Sequence, residues 1–70
     1  MNNQFSIGDI IVHKEPNREN VPWLVIGYST LKLRTVVNYY KLVSLYSLDE
    51  INNPFESEIE HTHKNYHKAT

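Results

Sequence analysis

A chain in which valine, isoleucine and threonine outnumber alanine by 16 to 1 is built for strands rather than helices. Branching at Cβ restricts χ1 against a helical turn but suits a pleated surface, and the eight aromatic residues point the same way. Seventy residues allow one core and one domain, since folding at this size hides only about 60% of the surface an unfolded chain exposes. With no cysteine, neither a disulfide framework nor a thiolate metal site supplements that core. The longest apolar stretch, Trp23 to Ile26, falls far short of the roughly 20 residues of a spanning helix, and Met1-Asn2-Asn3-Gln4 does not open a secretory leader. The expected protein is therefore cytoplasmic, with neither a membrane nor a secretory route. Phe, Tyr, Met, Ile, Asn and Lys make up 27 residues while Gly, Ala, Arg and Pro make up 8, the bias of an AT-rich genome. A low-GC bacterium, or a phage growing in its cytoplasm, is the expected source.

Turn signals divide the first two thirds of the chain. Gly8-Asp9 precedes the β-branched run Ile10-Ile11-Val12, which gives a strand over Asp9 to Lys14 bounded by the polar run Glu15 to Asn20. Pro22 cannot donate to a ladder and must stand at the entrance of the second strand, Trp23 to Thr30. A third run, Thr35 to Tyr46, is reached through Leu31-Lys32-Leu33-Arg34, which lacks the glycine pair of a tight hairpin. That run carries apolar residues on both faces, which predicts a curled sheet, a bulge near Val43 or a second protein surface. Burying such a surface in a homodimer is one solution.

From Ser47 the pattern changes. Ser47-Leu48-Asp49-Glu50 and Ser57-Glu58-Ile59-Glu60 both match a capping box, so two helix starts are expected. Asn52-Asn53-Pro54 stops the first, whereas the second runs from Glu58 to about Lys68, with Ile59, His63 and Tyr66 on one face and Glu60 paired to Lys64. Ile11, Trp23, Val25, Leu42 and Ile59 are expected in or near the core.

Phe5-Ser6-Ile7-Gly8-Asp9-Ile10-Ile11-Val12, Pro22-Trp23-Leu24-Val25-Ile26 and Tyr40-Lys41-Leu42-Val43 together resemble the small SH3-like β-barrel proteins encoded by phages of low-GC Gram-positive bacteria. The resemblance implies a mainly β fold: one SH3-like antiparallel barrel or curled sheet over residues 1–70, with the sheet over about 5–46 and a helical C-terminal part over about 47–68. No glycine falls between Gly8 and Gly27, where the nucleic-acid-binding KOW branch of such barrels carries several.

Chemistry is sparse. No serine lies in a Gly-x-Ser-x-Gly turn, no glycine loop cradles phosphate, and Glu56 with Glu58 or Glu60 requires a desolvated cleft before it can act as an acid–base pair. No enzymatic activity and no cofactor are expected. On one helix, His63 and His67 would lie four apart, but Lys64 and Lys68 flank them and no third ligand is evident, so no metal is expected. Lys32, Arg34, Tyr39 and Tyr40 offer a basic and aromatic surface for single-stranded nucleic acid, the alternative function of a KOW-like barrel.

Charge placement is the more pointed signal. Net charge is only -1, yet Asp49, Glu50, Glu56, Glu58 and Glu60 fall within twelve residues that hold no base. Such a cluster suits helix starts and a solvated face. Next to Leu48, Ile51, Pro54 and Phe55 it also describes a patch for a basic protein surface, with apolar residues to supply contact energy. The first expectation is thus a small phage-type inhibitor whose Leu48, Asp49, Glu50, Phe55, Glu56, Glu58 and Glu60 engage a host protein with a basic channel or groove. The DNA sliding clamp of the replication machinery, its channel blocked by a mimic of DNA charge, is the example the resemblance suggests.

Overall fold

The computed structural model describes residues 4–15 and 21–69. Five strands form one antiparallel sheet: β1 (Ile10–His13), β2 (Trp23–Lys32), β3 (Val36–Ser44), β4 (Phe55–Glu58) and β5 (Tyr66–Lys68), in the order β4-β3-β2-β1-β5. A 3-10 turn, Leu48–Glu50, joins β3 to β4, and the helix α1 (Ile59–Asn65) leads from β4 at one edge to β5 at the other. The expected mainly β architecture is present as a curled sheet rather than a closed barrel, with α1 between its two edge strands. Among the described residues no helix is long and apolar enough to cross a membrane.

The opening turn shows why Gly8 stands where it does. Asp9 N–H reaches Ser6 O at 2.9 Å and Ser6 N–H reaches the Asp9 carboxylate at 2.8 Å, while Gly8 adopts φ 97°. A positive φ at the third position of a β-turn is the type II requirement, which a side chain would strain. The turn hands the chain to β2, where Gly8 N–H donates to Val25 O at 2.8 Å and Val25 N–H to Asp9 O at 2.9 Å.

A bulge in β2 sets which side chains reach the core. Val25 pairs with Leu42 but Gly27 pairs with Lys41, so Ile26 is the extra residue and the alternation shifts by one. Val25 before the bulge and Tyr28 after it therefore both face Tyr40 and Leu42, although an unbroken strand would put them on opposite sides. The expected irregularity near Val43 lies instead on the partner strand. The core comprises Phe5, Ile11, Val25, Tyr40, Leu42 and Ile59, with Trp23 and Tyr66 packed against it. Trp23 stands near the core, as expected, and only partly buried, because it is the first residue of β2 and its ring leans on Phe55 at 5.6 Å.

The C-terminal part departs furthest from expectation. Residues 55–58 pair with β3 as an edge strand, so Ser57 is buried opposite Tyr40 and caps no helix. Its hydroxyl meets Thr62 Oγ1 at 2.7 Å, and the Thr62 hydroxyl in turn reaches Glu58 O at 2.6 Å. The helix ends at Asn65 because Tyr66, His67 and Lys68 pair with His13, Val12 and Ile11. Glu60 and Lys64 form no ion pair. Among the described residues, the pair that forms joins Lys68 to Asp9 at 3.4 Å. The loop expected over Glu15 to Asn20 lies, from Pro16 on, outside the described residues.

Candidate functional site

The acidic segment is distributed around β4. Asp49 and Glu50 project from the 3-10 turn, which is held by Ser47 N–H on Ser44 O at 3.0 Å, Glu50 N–H on Ser47 O at 3.0 Å and Asn53 N–H on Glu50 O at 2.9 Å. No side-chain cap forms at Ser47, so the first capping box supplies a turn and not a capped helix. Glu56 and Glu58 alternate with Phe55 and Ser57 along β4 and stand on the other face of the sheet, at the levels of Lys41 and Tyr39. Glu60 occupies the first turn of α1.

Two open grooves flank the strand. At the Phe55 end, a groove of about 360 Å³ runs between Trp23, Val43 and Ser44 on one side and Glu50, Pro54 and Phe55 on the other. Phe55 in its wall is 56% exposed, and the segment that leads from β3 to β4 exposes Tyr46 at 75%, Leu48 at 52% and Ile51 at 51%. At the Glu58 end, a second groove of about 270 Å³ lies among Val36, Val37, Asn38, Glu58, Ile59 and Glu60. The seven residues expected to form a partner-binding patch therefore fall into two neighbourhoods. Glu50 and Phe55 line the first groove, with Leu48 and Asp49 in the 3-10 turn that carries Glu50; Glu58 and Glu60 line the second, and Glu56 lies between. Trp23 joins the first neighbourhood, and only its fold placement reveals it.

The alternative nucleic-acid residues do not form one platform. Lys32 and Arg34 are exposed at the end of the β2–β3 hairpin, and Tyr39 is half-buried on the outer face. Tyr40 is completely enclosed and offers no ring face to a base, because the β2 bulge and the helix close the core around it. The two histidines once four apart on a helix are separated too, His63 in α1 and His67 in β5. Among the described residues no group of three side chains is arranged to hold a metal ion.

A polar knot inside the core was not legible in the chain. Tyr40 Oη lies 2.6 Å from His63 Nε2 and accepts from Phe5 N–H at 3.2 Å, while Gln4 N–H points at the same Nε2 at 3.3 Å and Tyr28 donates to Phe5 O at 3.2 Å. A nitrogen that receives an N–H must be the unprotonated one, so Tyr40 donates to it and the ring proton sits on Nδ1. The arrangement ties the N-terminal segment to the sheet and the helix. Burial raises the Tyr40 pKa above its ordinary 10.0, outweighing the backbone hydrogen bond from Phe5. Burial likewise lowers that of His63 below 6.5, with the Glu60 charge opposing. Lys14 also approaches, with Nζ 3.4 Å from His63 O.

A pH dependence follows. The unfolded chain binds the imidazole proton more tightly than the folded one, so the stability carried by neutral His63 is complete above about pH 6.5 and is lost as pH falls from there to the lower folded value. Asp9, lowered chiefly by its hydrogen bond from Ser6, acts only in the separate window below its ordinary 3.8. Urea midpoints measured from pH 7.5 to 5 should decline for the wild type and decline less for His63→Gln. Parallel curves would remove His63 from the account.

No protein-family model, curated protein or solved structure matches the chain.

Proposed function

We propose that this protein acts by binding, through the acidic and apolar surface around the first groove, a host protein with a basic channel or groove, and that it inhibits that partner by occupying its DNA-binding space. The observation that carries the reading is a groove that exposed Phe55 and Glu50 line together with Trp23 and Val43, entered from a segment whose Leu48, Asp49 and Ile51 are also exposed. Apolar residues of this kind supply contact energy at an interface, and the flanking carboxylates steer a positively charged partner and select against a negative one. No covalent chemistry is involved. A DNA sliding clamp from a low-GC bacterium is the partner to test first, as the phage-type resemblance suggests, since its channel accommodates a polyanion. Calorimetric titration of purified clamp into the protein is expected to show binding that weakens as salt is raised. No heat of binding at low salt would remove the clamp as the target.

A second reading rests on the stretch from Val21 to Leu48, which contains Lys32, Arg34 and Lys41 and no acid. Nucleic acid would lie along Lys32, Arg34 and Tyr39. Two exposed cations at a hairpin end neutralise few phosphates, so no mobility shift of DNA or RNA is expected even at low salt. A shift that vanishes steeply with salt would favour this reading over the first.

A further inference from the structure

The distal half of the β2–β3 hairpin stands beyond the rest of the sheet. On one side β1 pairs only with Trp23 and Leu24 of β2, and on the other β4 pairs only with Tyr39 to Leu42 of β3. The chain turns into α1 at Ile59, so Val36, Val37 and Asn38 have β2 along one edge and no strand along the other. That open edge forms one wall of the second groove, whose opposite wall carries Glu58, Ile59 and Glu60.

The end of the same hairpin is apolar and basic. Leu33 is 78% exposed, Val36 60% and Leu31 46%, and Lys32 and Arg34 alternate with the leucines. An exposed strand edge with large apolar side chains is a site natural proteins normally cover. Neither Lys32 nor Arg34 forms an ion pair with Glu58 or Glu60 of its own chain.

We propose that two copies of this chain associate about a two-fold axis near Val37, each placing the Leu31–Val36 hairpin end in the groove beside Glu58 and Glu60 of the other. Three observations converge on a second copy as the occupant. The groove is acidic and the hairpin end basic, so the two surfaces are complementary in charge. They lie close along the chain, separated by the few residues from Arg34 to Asn38, about 13 Å at roughly 3.3 Å per residue. A two-fold operation about a point between them superposes end on groove and groove on end, which is the self-complementarity a symmetric dimer requires. The proposal is independent of the partner-binding surface, which occupies the Phe55 end of β4.

Sedimentation equilibrium at tens of micromolar tests it. The wild type should approach twice the 8.3 kDa chain mass, with dissociation on dilution and at high salt. Lys32→Glu with Arg34→Glu, and separately Glu58→Lys with Glu60→Lys, should each weaken the dimer at least about tenfold, since like charges then face each other twice. An equimolar mixture of the two double variants should regain the dimer mass, because each altered surface then meets its opposite. Circular dichroism checks that both variants fold, and Leu33→Ser, at a side chain distant from the core, should weaken the dimer in any case. A monomeric wild type, a dimer indifferent to these changes, or a mixture that stays monomeric would each overturn the proposal.

Discussion

Replacing Tyr40 by alanine is expected to cost about 3 to 5 kcal/mol, comparable to the entire stability of a domain of this size. Tyr40 is the largest side chain with no solvent exposure, and its ring lies 5.7 Å from Phe5, 5.7 Å from Tyr28 and 5.6 Å from His63. Removing it empties the centre of the core, frees the Phe5 N–H and leaves His63 Nε2 with the Gln4 N–H alone. Tyr40→Phe separates the two losses, since it keeps the ring and abandons only the hydroxyl. Leaving buried polar groups unpaired costs about 1 to 3 kcal/mol, so this variant should fold with a lowered urea midpoint while the alanine variant is largely unfolded. Equal stability of Tyr40→Phe and wild type would mean that the hydrogen-bonded knot contributes nothing.

The second large effect concerns binding. Changing Asp49, Glu50 and Glu56 together to lysine shifts the charge of the 3-10 turn and the start of β4 by six units, and all three side chains are exposed. The core should be unaffected, which circular dichroism can verify, while affinity for a basic partner should collapse. Charge steering acts mainly on association and is screened over about 8 Å at physiological salt, so the wild-type association rate should fall with added salt. Phe55→Ala should behave differently. Truncating an apolar contact chiefly hastens dissociation, and that effect should be nearly independent of salt.

Local signals in the chain announced the elements that local chemistry decides. Gly8 with Asp9, the proline before Trp23 and the β-branched runs located β1, β2 and β3 to within a residue or two, and alternation placed Ile11, Val25 and Leu42 inside. Elements decided by distant partners were not visible. Phe5 precedes the first strand in a polar neighbourhood, and only the convergence of Tyr40, Tyr28 and His63 makes it a core residue. Ser57 carries a capping-box signature, yet pairing of β4 with β3 claims its backbone and Thr62 its hydroxyl. Tyr66 to Lys68 would continue a helix by periodicity, but the free edge of β1 draws them into a strand. The candidate site divides the same way. Its carboxylates and Leu48 and Phe55 were legible as a cluster, whereas its separation into two grooves and the contribution of Trp23 depend on the path of β4.

The most direct measurement is a paired capture from a lysate of a low-GC bacterium, with the wild type and the Asp49, Glu50 and Glu56 to lysine variant immobilised at equal density and the retained proteins identified by mass spectrometry. The account predicts a DNA-handling protein with a basic channel or groove that the wild type retains, that salt elutes and that the variant fails to hold. Identical sets of proteins on both surfaces would contradict it and show that the carboxylates around the first groove face only water.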